Sequence, residues 1–201
     1  RTPVPDTYRG EFRAGDPQVP DAGQRYAARV AEVIAATQAR GRGIAAYLAE
    51  TLPSVGGQIV PPAGFYPSVY AAVRAAGGLC IADEVQTGFG RTGDSFWAFE
   101  RYGVVPDIVV LGKPIANGYP MGAVVTTSEI AAAFANGMEF FSTFGGSTAA
   151  CAAALAALEV LEEEELQANA ARVGRRLLAG LQDLAARHPQ IGDVRGAGLF
   201  V

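Results

Sequence analysis

The sequence predicts an α/β fold built on a mostly parallel sheet. Three observations predict it. Short apolar runs at 79–83 (LCIAD), 108–111 (IVVL) and 123–126 (AVVT) are rich in β-branched residues and bounded by Gly and Pro, as buried strands are. A stretch with apolar residues at helical spacing, 65–76, separates the first of these runs from another at 43–50 (GIAAYLAE). That is a strand–helix–strand unit, for which a right-handed crossover is expected. Finally, two runs end in charge: Asp83 and Glu84 close one, and Gly112 and Lys113 follow another. Ligands of open α/β sheets sit just outside the carboxyl ends of the strands, so this anion and this cation face one crevice.

The remaining elements follow in order. Residues 1–20, rich in Pro, Gly and charge, read as an extended surface segment. Asp21 offers an N-cap to a helix carrying Tyr26, Val30, Val33 and Ile34, which should end near Arg40 and Gly41. The strand at 43–50 ends at Glu50, a third charge in the same kind of position, and the Pro- and Gly-rich loop 52–65 leads away from it. After Asp83 comes a Gly-rich loop, QTGFGRTG, then an aromatic segment (Phe96, Trp97, Phe99, Tyr102) that reads as packing. A short helix starts at Ser128, and FFSTFGGS at 140–147 is a polar loop whose Ser147 caps an Ala-rich helix with a stripe of Leu155, Leu158 and Leu161. Glu162 to Glu165 form a solvated junction. The last helix, with Leu166, Ala170, Val173, Leu177, Leu181 and Leu184, stops at His188 and Pro189. His188, the only histidine, reads as a helix-end residue. Residues 191–201 (IGDVRGAGLFV) read as the beginning of another strand.

Composition narrows the function. The 201 residues are 50% hydrophobic, enough for one sizeable core, and a net charge of -4 without a basic stripe argues against nucleic acid. No apolar run approaches the ~20 residues of a membrane span, and no metal-ligand spacing is present. Cys80 and Cys151 read as free thiols in a reducing cytoplasm. The chain begins at Arg1 without a methionine and stops within an apparent strand, so it reads as a central piece of something longer.

Lys113 is the only lysine; every other cation is Arg. A lysine in a Gly-flanked loop at a strand end, poorly hydrated, has its amine freed as a nucleophile toward carbonyls. An aspartate paired with such a lysine is what a pyridoxal cofactor requires: the lysine binds the aldehyde and the aspartate keeps the ring nitrogen protonated. A carboxylate ~4 Å from that nitrogen is worth roughly 4 kcal/mol gross at an effective dielectric of about 20, or up to ~3 pKa units.

Three stretches in fixed order, ADEVQTGFGRTG at 82–93, DIVVLGKPIANGYPMGAV at 107–124 and STFGGS at 142–147, resemble the class III aminotransferases, pyridoxal-phosphate enzymes of fold type I. AGQRYA, GGQIVPPAGF and the closing RGAGLF extend the resemblance over residues 8–201, and the wording is most similar to the ethanolamine-phosphate and phosphohydroxylysine phospho-lyase subgroup. The resemblance implies a three-layer α/β/α arrangement. Residues 21–162 would belong to the cofactor-binding large domain, and 163–201 to a linking helix and the start of a C-terminal small domain. It implies that Lys113 is the Schiff-base lysine, Asp83 the partner of the pyridinium, Gln86 a hydrogen-bond partner of the phenolic oxygen and Val85 a packing surface for the ring. It implies that Thr143, with Ser142 beside it, binds cofactor phosphate in the neighbouring subunit of a homodimer. For Arg91 a structural role is expected. Glu50 stands where the family has a glutamate near the substrate, but the loop after it departs from the commoner aminotransferase pattern.

The first expectation is therefore a PLP-dependent aminotransferase moving an amino group from an amine or ω-amino acid to a keto acid. The second is phospho-elimination from an amino-alkyl phosphate with the same residues. A P-loop NTPase fragment, suggested by LCIADE, lacks any GxxxxGK[ST] and has Pro114 after its lysine. A non-enzymatic fragment that holds no cofactor is the remaining alternative, since a bare sheet edge is expected.

Overall fold

The computed structural model describes residues 1–201. Helix α1 spans Ala22–Gln38 and buries Tyr26, Val30 and Ile34, one turn apart along a single face. Strand β1 spans Ala46–Glu50, shorter at its start than the 43–50 expected, and helix α2 spans Phe65–Ala75. Helix α2 buries Phe65, Tyr66, Val69, Tyr70 and Val73 against α1, and this is the largest core cluster of the chain. Each such side chain contributes about 1.5–3 kcal/mol on full burial. Asp21 precedes α1 as expected, but its side chain makes no capping hydrogen bond.

Strands β2 (Leu79–Asp83), β3 (Ile108–Leu111) and β4 (Ala123–Thr126) complete a sheet of order β1-β2-β3-β4. The first three strands are parallel, and β4 runs antiparallel to β3. Because side chains alternate across a strand, the register sorts them by face. Tyr47 and Cys80 are paired and lie under α1 and α2. Glu50, Asp83, Val110 and Val124 form one row on the opposite face. Leu48 and Val124 on that face remain 63% and 66% exposed, so no layer of these 201 residues covers it. Helices α1 and α2 pack on the side that carries Tyr47 and Cys80, and the opposite side has room for another layer.

Between β2 and β3 the aromatic segment forms a 3-10 turn at Ala98–Tyr102, and Phe89, Phe96 and Trp97 stack edge to face, as packing residues do. Helix α3 spans Ser128–Phe134 and α4 Thr148–Glu163; α4 sets Ala154 against Leu111, Ile115 and Ala116. Ser147 stands at the start of α4 without a side-chain cap bond. Helix α5, Leu166–Arg187, ends at exposed His188, and its buried residues are the small ones, Ala170 and Gly174.

Two further expectations change. Residues 1–20 are irregular, with turns, but Asp6 and Phe12 are buried, and Phe12 meets Tyr26 edge to face at 5.0 Å. Residues 191–201 form no strand. Gly196 and Gly198 take φ of 156° and 56°, which bends the segment into a turn closed by a single bridge between Ala197 and Phe200. Ala197 and Phe200 then pack with Leu52 and Ala98, and the Gly198 carbonyl lies where a Cβ on Gly174 would stand, 2.0 Å away. No helix is long and apolar enough to cross a membrane.

Candidate active site

The site is built where β2 and β3 end. Asp83 is the last residue of β2, and the next amide, that of Glu84, donates to the Val110 carbonyl of β3 at 3.0 Å. The chain then turns so that Val85 lies over Gly112; a Cβ there would stand 3.2 Å from Val85 Cγ1. A methyl at position 112 would make Val85 give by a few tenths of an ångström, so glycine eases the close approach of the two strand-end loops. Lys113 follows, with φ at +34°, and its Nζ donates to Gln86 Oε1 at 2.9 Å. A left-handed backbone at a non-glycine residue costs on the order of 1–3 kcal/mol and persists only where its surroundings enforce it. Here Pro114 fixes the next residue, and the Ile115 amide closes the turn onto the Gly112 carbonyl at 3.0 Å.

Lys113 is exposed, contrary to the desolvated amine expected from its Gly-flanked position. The loop that carries it opens onto a cavity of about 360 Å³, lined among others by Gln58, Gln86, Arg91, Leu199 and Phe200. Asp83 lies on the face that no helix of the chain covers. One of its oxygens accepts from the Val85 amide at 2.9 Å, and the other has no partner in the chain. No ion pair joins Asp83 to Lys113. Lys113, Gln86 and Val85 are thus brought together, with Asp83 beside them at the adjoining strand end. Ser142 and Thr143 are not. Ser142 accepts from the Gly145 amide at 3.1 Å and lines a separate cavity of about 560 Å³ with Tyr119 and Met121, while Thr143 is exposed.

Two residues escaped the sequence reading. Glu84 is fully buried, and its carboxylate takes four donors: Thr51 and Thr87 hydroxyls, both at 2.7 Å, and the Ala98 and Phe99 amides, both at 3.0 Å. Burial pushes this carboxyl above its ordinary range, against the opposing pull of those donors. Glu84 ties the end of β1, the loop after Asp83 and the 3-10 turn into one piece. Asp83 is legible because it ends the strand; three of the four donors to Glu84 lie 14 to 33 residues away, and Thr87 three residues on is the only local sign of its role.

The other is Gln58, in the loop after β1. Its backbone has φ of +51°, and its carboxamide oxygen is buried without a partner, which costs about 1–3 kcal/mol. The loop is held by arginines: Arg9 donates to the Gly56 carbonyl and Arg195 to that of Gly57. Asp6 pairs with both. Burial pushes the Asp6 carboxyl up, but the Tyr8 and Arg9 amides and the two guanidiniums outweigh it and bring it to about 2. On the other side of the loop, Glu50 accepts from the Ser54 hydroxyl at 2.8 Å and amide at 3.0 Å.

An exposed primary amine beside an amide oxygen, an apolar wall and a carboxylate with a free oxygen fit an aromatic aldehyde with a basic ring nitrogen. The Aminotransferase class-III family profile matches residues 2–201. An alanine–glyoxylate aminotransferase 2-like protein of Drosophila melanogaster is 54% identical over 99% of this chain and 40% of its own length. Among solved structures, a phospholyase from Arthrobacter in complex with phosphoethanolamine has a TM-score of 0.91 and 40% identity, over 98% of this chain and 46% of that one. An amine transaminase from an uncultivated Pseudomonas species, in a PLP-bound form, has a TM-score of 0.86 and 41% identity, over 97% of this chain and 44% of that one. The chain spans less than half the length of each of these relatives. By its matched family, its sequence relatives and its fold type I neighbours, this chain belongs to the class III aminotransferases.

Proposed function

We propose that the full-length protein is a PLP-dependent aminotransferase that moves an amino group from an amine or ω-amino acid to a keto acid. The observation that carries this reading is the only lysine of the chain, held in a left-handed backbone at a strand end and 2.9 Å from Gln86 Oε1. When bound, the cofactor supplies an electron sink for the pair released as a substrate Cα bond breaks. Lys113 Nζ would hold the aldehyde and, as a free amine, would take and return the proton at the substrate Cα. The unpartnered oxygen of Asp83 would keep a proton on the ring nitrogen. Val85 would pack on the ring, and the Gln86 amide would bind the phenolic oxygen.

In this reading residues 21–162 form most of the large domain, and 163–201 lead toward a second one. We assign Ser142 and Thr143 to a phosphate site in the partner of a homodimer. That assignment is supported by the exposed aromatics around them, Phe140, Phe141 and Phe144, an apolar patch of the kind interfaces cover. A reducing compartment, the cytoplasm, is supported by two unpaired thiols.

A second reading, elimination of phosphate from an amino-alkyl phosphate, is favoured by the likeness to the Arthrobacter phospholyase. Incubating the full-length protein and PLP with phosphoethanolamine separates the two. Free phosphate released without any keto acid supports elimination, and amine transfer only with a keto acid supports transamination. Neither product would refute both.

A further inference from the structure

The cavity beside Lys113 offers hydrogen-bond donors and no carboxylate. Arg91 donates through Nε to the Gln86 carbonyl at 2.9 Å, and its terminal nitrogens have no partner in the chain. Gln58 turns its carboxamide so that the oxygen is shut in and unpartnered, while the nitrogen makes no hydrogen bond and is not buried. A fold that leaves an acceptor orphaned and a backbone in the left-handed region, at a residue lining the cavity of the reactive amine, is sustaining that side chain for something outside the chain. The surroundings enforce it: Arg9 and Arg195 clamp the two preceding carbonyls, with Asp6 between them.

We propose that Gln58 and Arg91 form a subsite for an anionic substituent of the substrate, a carboxylate or a phosphomonoester. This rests on the reading of Lys113 above. With Lys113 engaged, the Gln58 amide nitrogen and the Arg91 guanidinium remain as donors facing the space next to the reacting amine. Arg91 supplies charge, and Gln58 supplies a donor whose orientation the strained loop fixes. The loop after Glu50, which departs from the commoner family pattern, thereby selects among substrates.

The test uses the full-length, PLP-loaded protein and its Gln58→Leu, Gln58→Glu and Gln58→Gly variants. Turnover is measured with β-alanine, phosphoethanolamine and the uncharged-tail propan-1-amine, and inorganic phosphate and acetate are titrated calorimetrically. A hydrogen bond to a charged group sets the scale. Gln58→Leu should lower kcat/KM for the anionic amine about tenfold to hundredfold through KM. Gln58→Glu should lower it further, with propan-1-amine changed by less than about threefold in both. Phosphate or acetate binding should weaken by the same factor, and which of them binds the wild type tells phosphomonoester from carboxylate. Gln58→Gly tolerates the loop backbone, so its melting temperature should match or exceed that of the wild type while anion binding is lost. Anionic and neutral amines falling together, or anion binding unchanged in Gln58→Glu, would overturn the subsite. Anion binding lost only in the variants supports it even where no amine turns over, a result that would count against the aminotransferase reading alone.

Discussion

Replacing Glu84 tests whether the strand-end architecture is held as described. The Ala98 amide donates to one carboxylate oxygen and the Phe99 amide to the other. Glu84→Ala leaves both amides buried without acceptors, at about 1–3 kcal/mol each, while the Thr51 and Thr87 hydroxyls can turn elsewhere. Recovering the burial cost of the charge offsets part of this, so the net loss should be about 3–4 kcal/mol. Glu84→Gln keeps the shape but has one oxygen for two amides. One N–H then faces the new NH2, and the loss should be about 1–3 kcal/mol. The pH dependence has a definite sign. A carboxyl raised by burial contributes stability that is complete below its ordinary value and is lost as pH rises through the raised one. The gap between wild type and Glu84→Gln should therefore narrow as pH climbs from acid toward neutral. Urea unfolding of the full-length protein, followed by circular dichroism at several pH values, measures all three. A Glu84→Gln variant within about 0.5 kcal/mol of wild type at every pH, or one as unstable as Glu84→Ala, would refute the four-donor account.

Asp6 has the opposite sign. Its carboxyl lies at about 2, below the ordinary 3.8, so its contribution of about 2 kcal/mol is present above 3.8 and is lost as pH falls toward 2. Asp6→Asn should remove that part of the acid limb of a stability–pH curve. The Cys80 thiol, buried under α2 and pushed up to about 11 by burial, should resist a thiol reagent in the native protein at pH 8 and react on unfolding. Gly174→Ala would press a methyl into the Gly198 carbonyl and should cost about 1–3 kcal/mol, with faster hydrogen exchange at the Leu199 amide, which donates to the Arg91 carbonyl.

Local patterns carried the reading of the fold. Strands 79–83, 108–111 and 123–126 were legible because continuous β-branched runs bounded by Gly and Pro leave few alternatives, and Lys113 was legible because no other lysine exists. What depends on partners far away in sequence was not. The Asp6–Arg195 ion pair joins residues 189 apart, and it turns a segment with a surface composition into a brace for the Gln58 loop. Gln58 itself has no motif; its strain and orphaned oxygen exist only in three dimensions. Residues 191–201 have the apolar content of a strand, but their glycines bend them back onto α5 before any strand can form. Asp21 and Ser147 sit where caps belong, and neither side chain caps.

The central claim is that Lys113 is the amine that binds the cofactor aldehyde. Borohydride reduction of the full-length protein with PLP, followed by digestion and peptide mass spectrometry, tests it most directly. A phosphopyridoxyl group is expected on Lys113 and none at the site in Lys113→Ala; an unmodified Lys113, or trapping at the site that persists in that variant, would contradict the assignment.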